Sequence, residues 1–159
     1  GEEKLTPFLR SWFDRHAFGA VTTSDFEREL SDASGVDLAR FFSDFVYTGY
    51  HPEVRVRFTA AGGETEVEIE QLQSRGPAAG YAFPLDLDFV DAEGRTERAT
   101  IEVSGRRTTA RVRLARPAAK VVADPEQAVV GTFACDGVSV CATGFRCAPQ
   151  GAASFCLPR

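Results

Sequence analysis

Over the first 50 residues the apolar positions recur at helical spacing. Phe8, Leu9, Trp12 and Phe13 form one stripe. Thr6 before Pro7 predicts an N-cap with proline at the first helical position, where its missing N–H costs nothing, and Gly19 is expected to end this helix. In the next segment Thr22 and Asp25 resemble a capping box, with Asp in place of the usual Glu or Gln, and Val21 and Phe26 stand where a hydrophobic staple would sit. Phe26, Leu30 and Ala33 are expected to form its buried face, and Gly35 a left-handed C-cap. Asp37 is expected to cap a third helix whose apolar residues Leu38, Phe41, Phe42 and Phe45 fall at i, i+3, i+4 and i+7. Three short helices with large aromatics cover one another only in part, because small units bury little surface.

From residue 54 the period changes to two. Val54, Val56 and Phe58 alternate with Arg55 and Arg57, and Val67 and Ile69 with Glu66, Glu68 and Glu70. Phe83, Leu85, Leu87 and Phe89 alternate with Pro84, Asp86 and Asp88; Ile101 and Val103 follow, then Ala110, Val112 and Leu114 between arginines. Such alternation predicts half-buried antiparallel strands. Turns are expected at Ala61-Gly62-Gly63, Asp91-Ala92-Glu93-Gly94 and Ser104-Gly105, and the loosest loop at residues 74–80. With Val121-Val122 and Val129-Val130 the count reaches about seven short strands, the pattern of a β-sandwich.

The last stretch differs from both. Cys135, Cys141, Cys147 and Cys156 are the only cysteines, separated by five, five and eight residues. Few large apolar residues accompany them, so this segment needs staples rather than a core. The expected fold class is therefore α+β: a helical segment over 1–50, an antiparallel β-sandwich over 51–131, and a disulfide-rich tail over 132–159.

Composition adds exclusions. The chain has 159 residues, 43% hydrophobic and 26% charged, as in ordinary globular proteins. Its net charge of −5, without a basic block interleaved with aromatics, argues against nucleic-acid binding. No apolar run approaches the roughly 20 residues of a membrane span. The polar start GEEKLTPF carries no signal peptide, and the sequence contains no Met, which reads as an excised or processed fragment.

Candidate chemistry is sparse. The two histidines, His16 and His51, belong to separate elements, the first near a helix end and the second beside Pro52 in an extended joint. Glu66, Glu68 and Glu70 share a strand face and read as solvated rather than as paired catalytic carboxylates. Asp86, Asp88 and Asp91 lack the loop of a calcium site, and Ser11, Ser34 and Ser104 lack a nucleophile elbow. No phosphate-binding glycine loop occurs. The cysteine gaps are unlike the C-x₂-C knuckles of structural zinc. Two disulfides in an exported protein fit better than zinc or free thiols, with three pairings open. No catalytic, metal or cofactor residue is assigned in this chain, which alone reads as no enzyme.

Three stretches resemble zinc aminopeptidases of the aminopeptidase N (gluzincin) type. The first comprises Thr22-Thr23, Asp25-Phe26, Ala33-Ser34-Gly35, Asp37-Leu38, Phe41-Phe42, Val46-Tyr47, Gly49-Tyr50 and Pro52. The second is Phe83-Pro84-Leu85-Asp86-Leu87 and the third Lys120-Val121-Val122-Ala123-Asp124-Pro125, so the likeness spans roughly residues 5 to 130. Phe45 stands where the family usually has Trp, and around Gly49-Tyr50 one residue is lost before and His51 gained after. The cysteine tail has no counterpart in the family. The resemblance implies the end of a catalytic domain followed by a β-sandwich. It also implies that the zinc ligands, the general-base Glu and a transition-state Tyr lie upstream, so Tyr47 and Tyr50 are not cast as catalytic.

The functional expectation is a non-catalytic C-terminal portion of an exported metallopeptidase. The resemblance implies zinc in the parent only, the upstream catalytic domain of the same chain as partner, and peptide substrate only through that parent. The alternatives are an extracellular binding module and a catalytically dead scaffold. A bare helical face with Trp12, Phe41 and Phe42 open would favour the first reading; an exposed aromatic cluster off the sandwich core would favour a module.

Overall fold

A computed structural model describes residues 2–61 and 64–159, in two compact units, Gly1–Thr48 and Gly49–Arg159. Gly62 and Gly63, expected in a turn, lie outside the described residues.

The helical unit begins with α1 (Glu2–His16). Pro7 lies inside this helix, so Thr6 is not its N-cap. Because the helix starts at Glu2, Pro7 falls past its first turn, and the bond an N–H there would make to the Glu3 carbonyl is forfeited. It ends at His16, and the left-handed residue that follows is Phe18 (φ 64°), not Gly19, whose N–H bonds the His16 carbonyl at 3.0 Å. Helix α2 (Thr23–Ser34) carries the expected reciprocal capping box of Thr22 and Asp25, and Gly35 is left-handed at its C-cap (φ 71°). Hydrogen bonds from the Thr22 side chain and backbone hold the Asp25 carboxyl at about 2.

The third helical segment departs furthest from expectation. Only Ala39–Phe41 (α3) is α-helical; Phe42–Val46 form a π turn, in which Tyr47 N–H reaches the Phe42 carbonyl at 2.8 Å. Its N-cap position is Leu38 without a side-chain cap, while Asp37 accepts the Ala39 N–H at 3.0 Å. The extra residue in the turn breaks the i, i+3, i+4, i+7 stripe. Phe42 is buried, whereas Phe41 is half-exposed.

In the second unit the alternating segments become strands β1 (Glu53–Ala61), β2 (Glu64–Gln71), β3 (Ala82–Val90), β4 (Thr96–Ser104), β5 (Arg107–Val112) and β6 (Lys120–Ala123). Four shorter strands follow: β7 (Thr132–Phe133), β8 (Ser139–Val140), β9 (Phe145–Gln150) and β10 (Ala153–Pro158). They form one four-stranded sheet in the order β5-β2-β1-β7, another in the order β4-β3-β6-β8, and the hairpin β10-β9. The long pairs are antiparallel, while β7 joins β1 and β8 joins β6 in parallel. Val129-Val130 is not a strand; Asp124 ties residues 128–129 into a loop and the chain becomes extended only at Thr132. The turn at Ser104-Gly105 does not close a hairpin. It carries the chain from the second sheet to the first.

Inward positions Val54, Val56, Val67, Ile69, Leu85, Leu87, Phe89, Val103 and Val121 are almost wholly buried. Phe58 of one sheet meets Phe89 of the other edge to face, with ring centroids 5.9 Å apart. The tail belongs with this unit. Ala134 bridges Phe155, and the Ala134 N–H bonds the Val54 carbonyl at 2.7 Å.

The β3–β4 turn forms where Asp91 was expected to start it. Asp91 Oδ1 accepts the N–H groups of Glu93 and Arg95, and Oδ2 meets Arg95 Nε at 2.7 Å and Arg116 Nε at 2.9 Å. Burial works against this charge, but the Arg95 side-chain and backbone hydrogen bonds outweigh it and hold the carboxyl at about 2, below the usual 3.8. A depressed folded-state pKa contributes stability that is complete above the unfolded value and is lost as pH falls through the folded one. Urea midpoints measured on acidification are therefore expected to fall more steeply from pH 3.8 toward about 2 in the wild type than in Asp91→Asn. Parallel slopes would refute the assignment.

Candidate functional site

The helical unit has a core made almost entirely of rings. Phe26 sits at its centre, with Phe8 at 5.6 Å, Trp12 at 5.1 Å and Phe42 at 6.3 Å between centroids. This cluster buries only Phe8, Phe42 and Asp44 among its described residues. Helix α2 has no buried residue, so the expected buried face of Phe26, Leu30 and Ala33 is only partly covered. Beside the cluster runs a groove of about 460 Å³ walled by Leu5, Phe8, Leu30, Ala33, Val36 and Leu38, with Lys4 and Ser34 completing its lining. Phe13, Phe18, Val36, Phe41, Val46 and Tyr47 stand exposed on the same unit. A surface this apolar on so small a unit marks a place where something else packs.

The polar candidates hold this unit together. His16 Nε2 lies 2.8 Å from Glu29 Oε1, and Arg15 Nη2 donates to Glu29 Oε2 at 2.8 Å, so one carboxylate clasps α1 to α2. The Arg15 hydrogen bond lowers the Glu29 pKa against the effect of burial. Tyr47 Oη donates to Glu27 at 2.6 Å, a bond that raises the phenol pKa. Asp44 pairs with Arg40 at 3.5 Å across one turn.

In the β unit the acids expected on a solvated face are there. Glu68 and Glu70 meet Arg107 at 2.9 and 3.2 Å, and Glu70 meets Arg55 at 3.3 Å. Asp86 accepts from Thr100, and Asp88 pairs with Arg98 at 2.7 Å. Each carboxylate of the Asp86, Asp88 and Asp91 group thus has its own partner within the chain. Arg75 Nη1 donates to Tyr50 Oη at 3.1 Å, and His51 is exposed beside the buried Pro52.

The four cysteines form two interleaved disulfides, Cys135–Cys147 and Cys141–Cys156, which fixes the pairing the sequence left open. Cys147 and Cys156 face each other across the β9–β10 hairpin, yet each bonds a cysteine outside it. The tail is thereby stitched in two places to residues 135–141. Sγ atoms of Cys135, Cys141 and Cys147 lie within 4.8 Å of one another, a cluster occupied by the disulfides.

Sequence reasoning missed two features. The first is the π turn, which leaves no signal in a clean helical stripe. The second is a cavity of about 340 Å³ in the β unit, between the 124–131 loop and the tail, bordered by Asp124, Gln127, Val130, Phe133, Phe145 and Cys156. Its signal was Asp124-Pro125 interrupting an apolar run, a proline that ends β6 and turns the chain.

No family model matches the chain. It is similar to aminopeptidase N of Escherichia coli (strain K12), 26% identical over 104 residues, covering 60% of this chain and 12% of that protein. A solved structure, Legionella pneumophila aminopeptidase A in complex with aspartic acid, matches with a TM-score of 0.56 and 22% identity, covering 71% of this chain and 13% of that one. The resemblance read from residues 5 to 130 is thus met again in sequence and in fold. The chain spans about an eighth of the length of the proteins it matches.

Proposed function

We propose that this chain is the non-catalytic C-terminal portion of an exported, aminopeptidase N-like zinc metallopeptidase. The helical unit completes the wall of an upstream catalytic domain, and the two sheets, packed as a β-sandwich, brace it. The observation that carries this reading is the helical unit itself, whose apolar groove stays open and whose Phe41 stays half-exposed among the described residues. Of the three residues expected open, only Phe41 is: Phe42 is buried in the ring cluster and Trp12 is half-buried against Phe26. The likeness to aminopeptidases supplies the kind of partner. The two disulfides support export, and no helix among the described residues is long and apolar enough to cross a membrane.

The residues of this chain do not fit the zinc site such a parent would use. His16 is committed to Glu29, and neither histidine begins an H-E-x-x-H. No catalytic step is therefore assigned to the chain. Its contribution is positional: a wall that keeps upstream ligands in place and water out.

The test expresses the chain alone and joined to the polypeptide encoded before it, each supplied with zinc and offered aminoacyl-anilides. Zinc-dependent cleavage is expected only from the joined protein, and Phe41→Glu in that protein is expected to lower it at least tenfold. Cleavage by the chain alone overturns the reading. No cleavage by the joined protein even with zinc supplied would instead make the parent a catalytically dead scaffold.

A further inference from the structure

We propose that the cavity between the 124–131 loop and the disulfide-bonded tail binds a small organic ammonium ion with an apolar body. The site rests on the β unit alone and stands whether or not the peptidase reading does. Its volume of about 340 Å³ falls in the lower part of the range of ligand pockets, about 300–1,000 Å³. Val129, Val130, Phe133, Ala142 and Phe145 give it hydrocarbon walls. Phe133 and Phe145 are only partly buried, so both rings retain surface that a guest could cover.

The charge of the guest follows from Asp124. Three acids are buried among the described residues: Asp44, Asp91 and Asp124. Asp44 has Arg40, and Asp91 has Arg95 and Arg116. Asp124, only 5% exposed, has no cation among the described residues. Its Oδ1 accepts the Ala128 N–H at 2.8 Å and its Oδ2 the Val129 N–H at 3.0 Å. A carboxylate offers roughly four acceptor positions, so these two bonds leave capacity in the side chain of a residue that lines the cavity. A buried carboxylate without a counter-charge is costly, and an ammonium placed there would supply one. The loop accepts a further cost to hold this arrangement: Asp124 and Gln127 both have positive φ, 48° and 57°, where side chains are disfavoured. Gln127 stands exposed at the rim, a neutral donor and acceptor beside the entrance.

The far wall comes from the tail. Ala142, Phe145 and Cys156 line the cavity, and the Cys141–Cys156 bond holds the β9–β10 hairpin against the segment that carries Ala142. The cysteine tail, which has no counterpart in the resembling family, thus acquires a purpose as half of a binding site.

The experiment uses the disulfide-intact chain and a matched pair of probes, 2-phenylethylammonium and 2-phenylethanol, followed by amide NMR shifts. Saturable shifts at Val129, Val130, Phe133 and Ala142 are expected for the ammonium, with at least tenfold weaker binding of the alcohol. Asp124→Asn is expected to bring the two probes to parity. Because that change also weakens the loop, Ala142→Trp serves as a second variant; it fills the cavity from its tail-side wall and is expected to abolish binding while the remaining amide spectrum is retained. Equal affinity of both probes for the wild type would make the cavity an uncharged apolar pocket and overturn the proposal. Shifts that do not saturate, or that lie elsewhere, would overturn it too.

Discussion

Gln71→Leu is expected to destabilise the β unit by about 4 kcal/mol, the sum of two or more buried polar groups left without partners at about 1–3 kcal/mol each. Gln71 is 4% exposed at the end of β2. Its Nε2 donates to the carbonyls of Tyr81 and Gly105 at 2.8 and 2.9 Å, and its Oε1 accepts the Tyr81 N–H and the Gln73 amide, both at 2.9 Å. Gln73 in turn accepts the Glu53 N–H at 3.1 Å. One side chain thus joins the start of β1, the entry to β3 and the crossing between β4 and β5. Leucine fits the volume and satisfies none of these groups. The backbones of Gly80 and Gly105 pack closely here; a Cβ on Gly80 would lie 2.8 Å from the Gly105 carbonyl carbon. Such a loss is a large fraction of the roughly 5–15 kcal/mol that stabilises a domain. Urea denaturation at constant m-value measures it, with exposed Glu66→Leu as the near-neutral control. A loss below about 1 kcal/mol would mean that water replaces the glutamine.

This hub also marks where the sequence stops being legible. Periodicity located β1 to β5 because each turns every second residue inward, though β5 only half-buries its inward side chains, and Val67 and Ile69 needed no knowledge of their neighbours to be placed inward. Gln71 continues the same inward register, yet glutamine reads as polar and therefore as an end of strand. Only the arrival of Tyr81 and Gly105 from distant segments makes it a core residue. The 74–80 loop, expected to be the loosest, is held for the same reason: Gly80 N–H bonds Pro77, and Arg106 reaches the carbonyl of Gln73. The capping box at Thr22 was readable because it is closed within four residues. The π turn was not, because Phe41, Phe42 and Phe45 fit an ideal helix equally well until tertiary packing chooses Phe42 for burial. For the candidate sites the same division holds. The aminopeptidase-like stretch could be read residue by residue, whereas the Asp124 cavity exists only once the tail folds back over the 124–131 loop.

Reduction of the two disulfides is expected to release the tail while leaving β1 to β6 folded. In the chain-entropy account, closing loops of this length contributes about 3 kcal/mol each, here for sequence separations of 12 and 15 residues. What else holds residues 132–159 is modest. Beyond the cysteines, the described buried residues of the segment are Ala134, Ser139 and Phe155. Two residue pairs register β7 on β1, and two register β8 on β6. The Asp136 turn, whose Oδ1 accepts the N–H groups of Val138 and Ser139, links those two edge strands but buries little. Without its cross-links the segment has too little apolar area to offset its chain entropy. The edges of β1 and β6 then lose their parallel partners, and the Ala142–Phe145 wall of the cavity goes with them. Hydrogen exchange with and without reductant distinguishes the outcomes: protection is expected to vanish in β7 to β10 and to persist in β2 and β3. Persisting protection throughout would mean that the short parallel pairings suffice. Global loss would mean that β7 and β8, though two residues each, are needed to close both sheets. Since β2 and β3 each lie between two neighbours in their own sheet, local release is the expected result, and ammonium binding is expected to disappear with it.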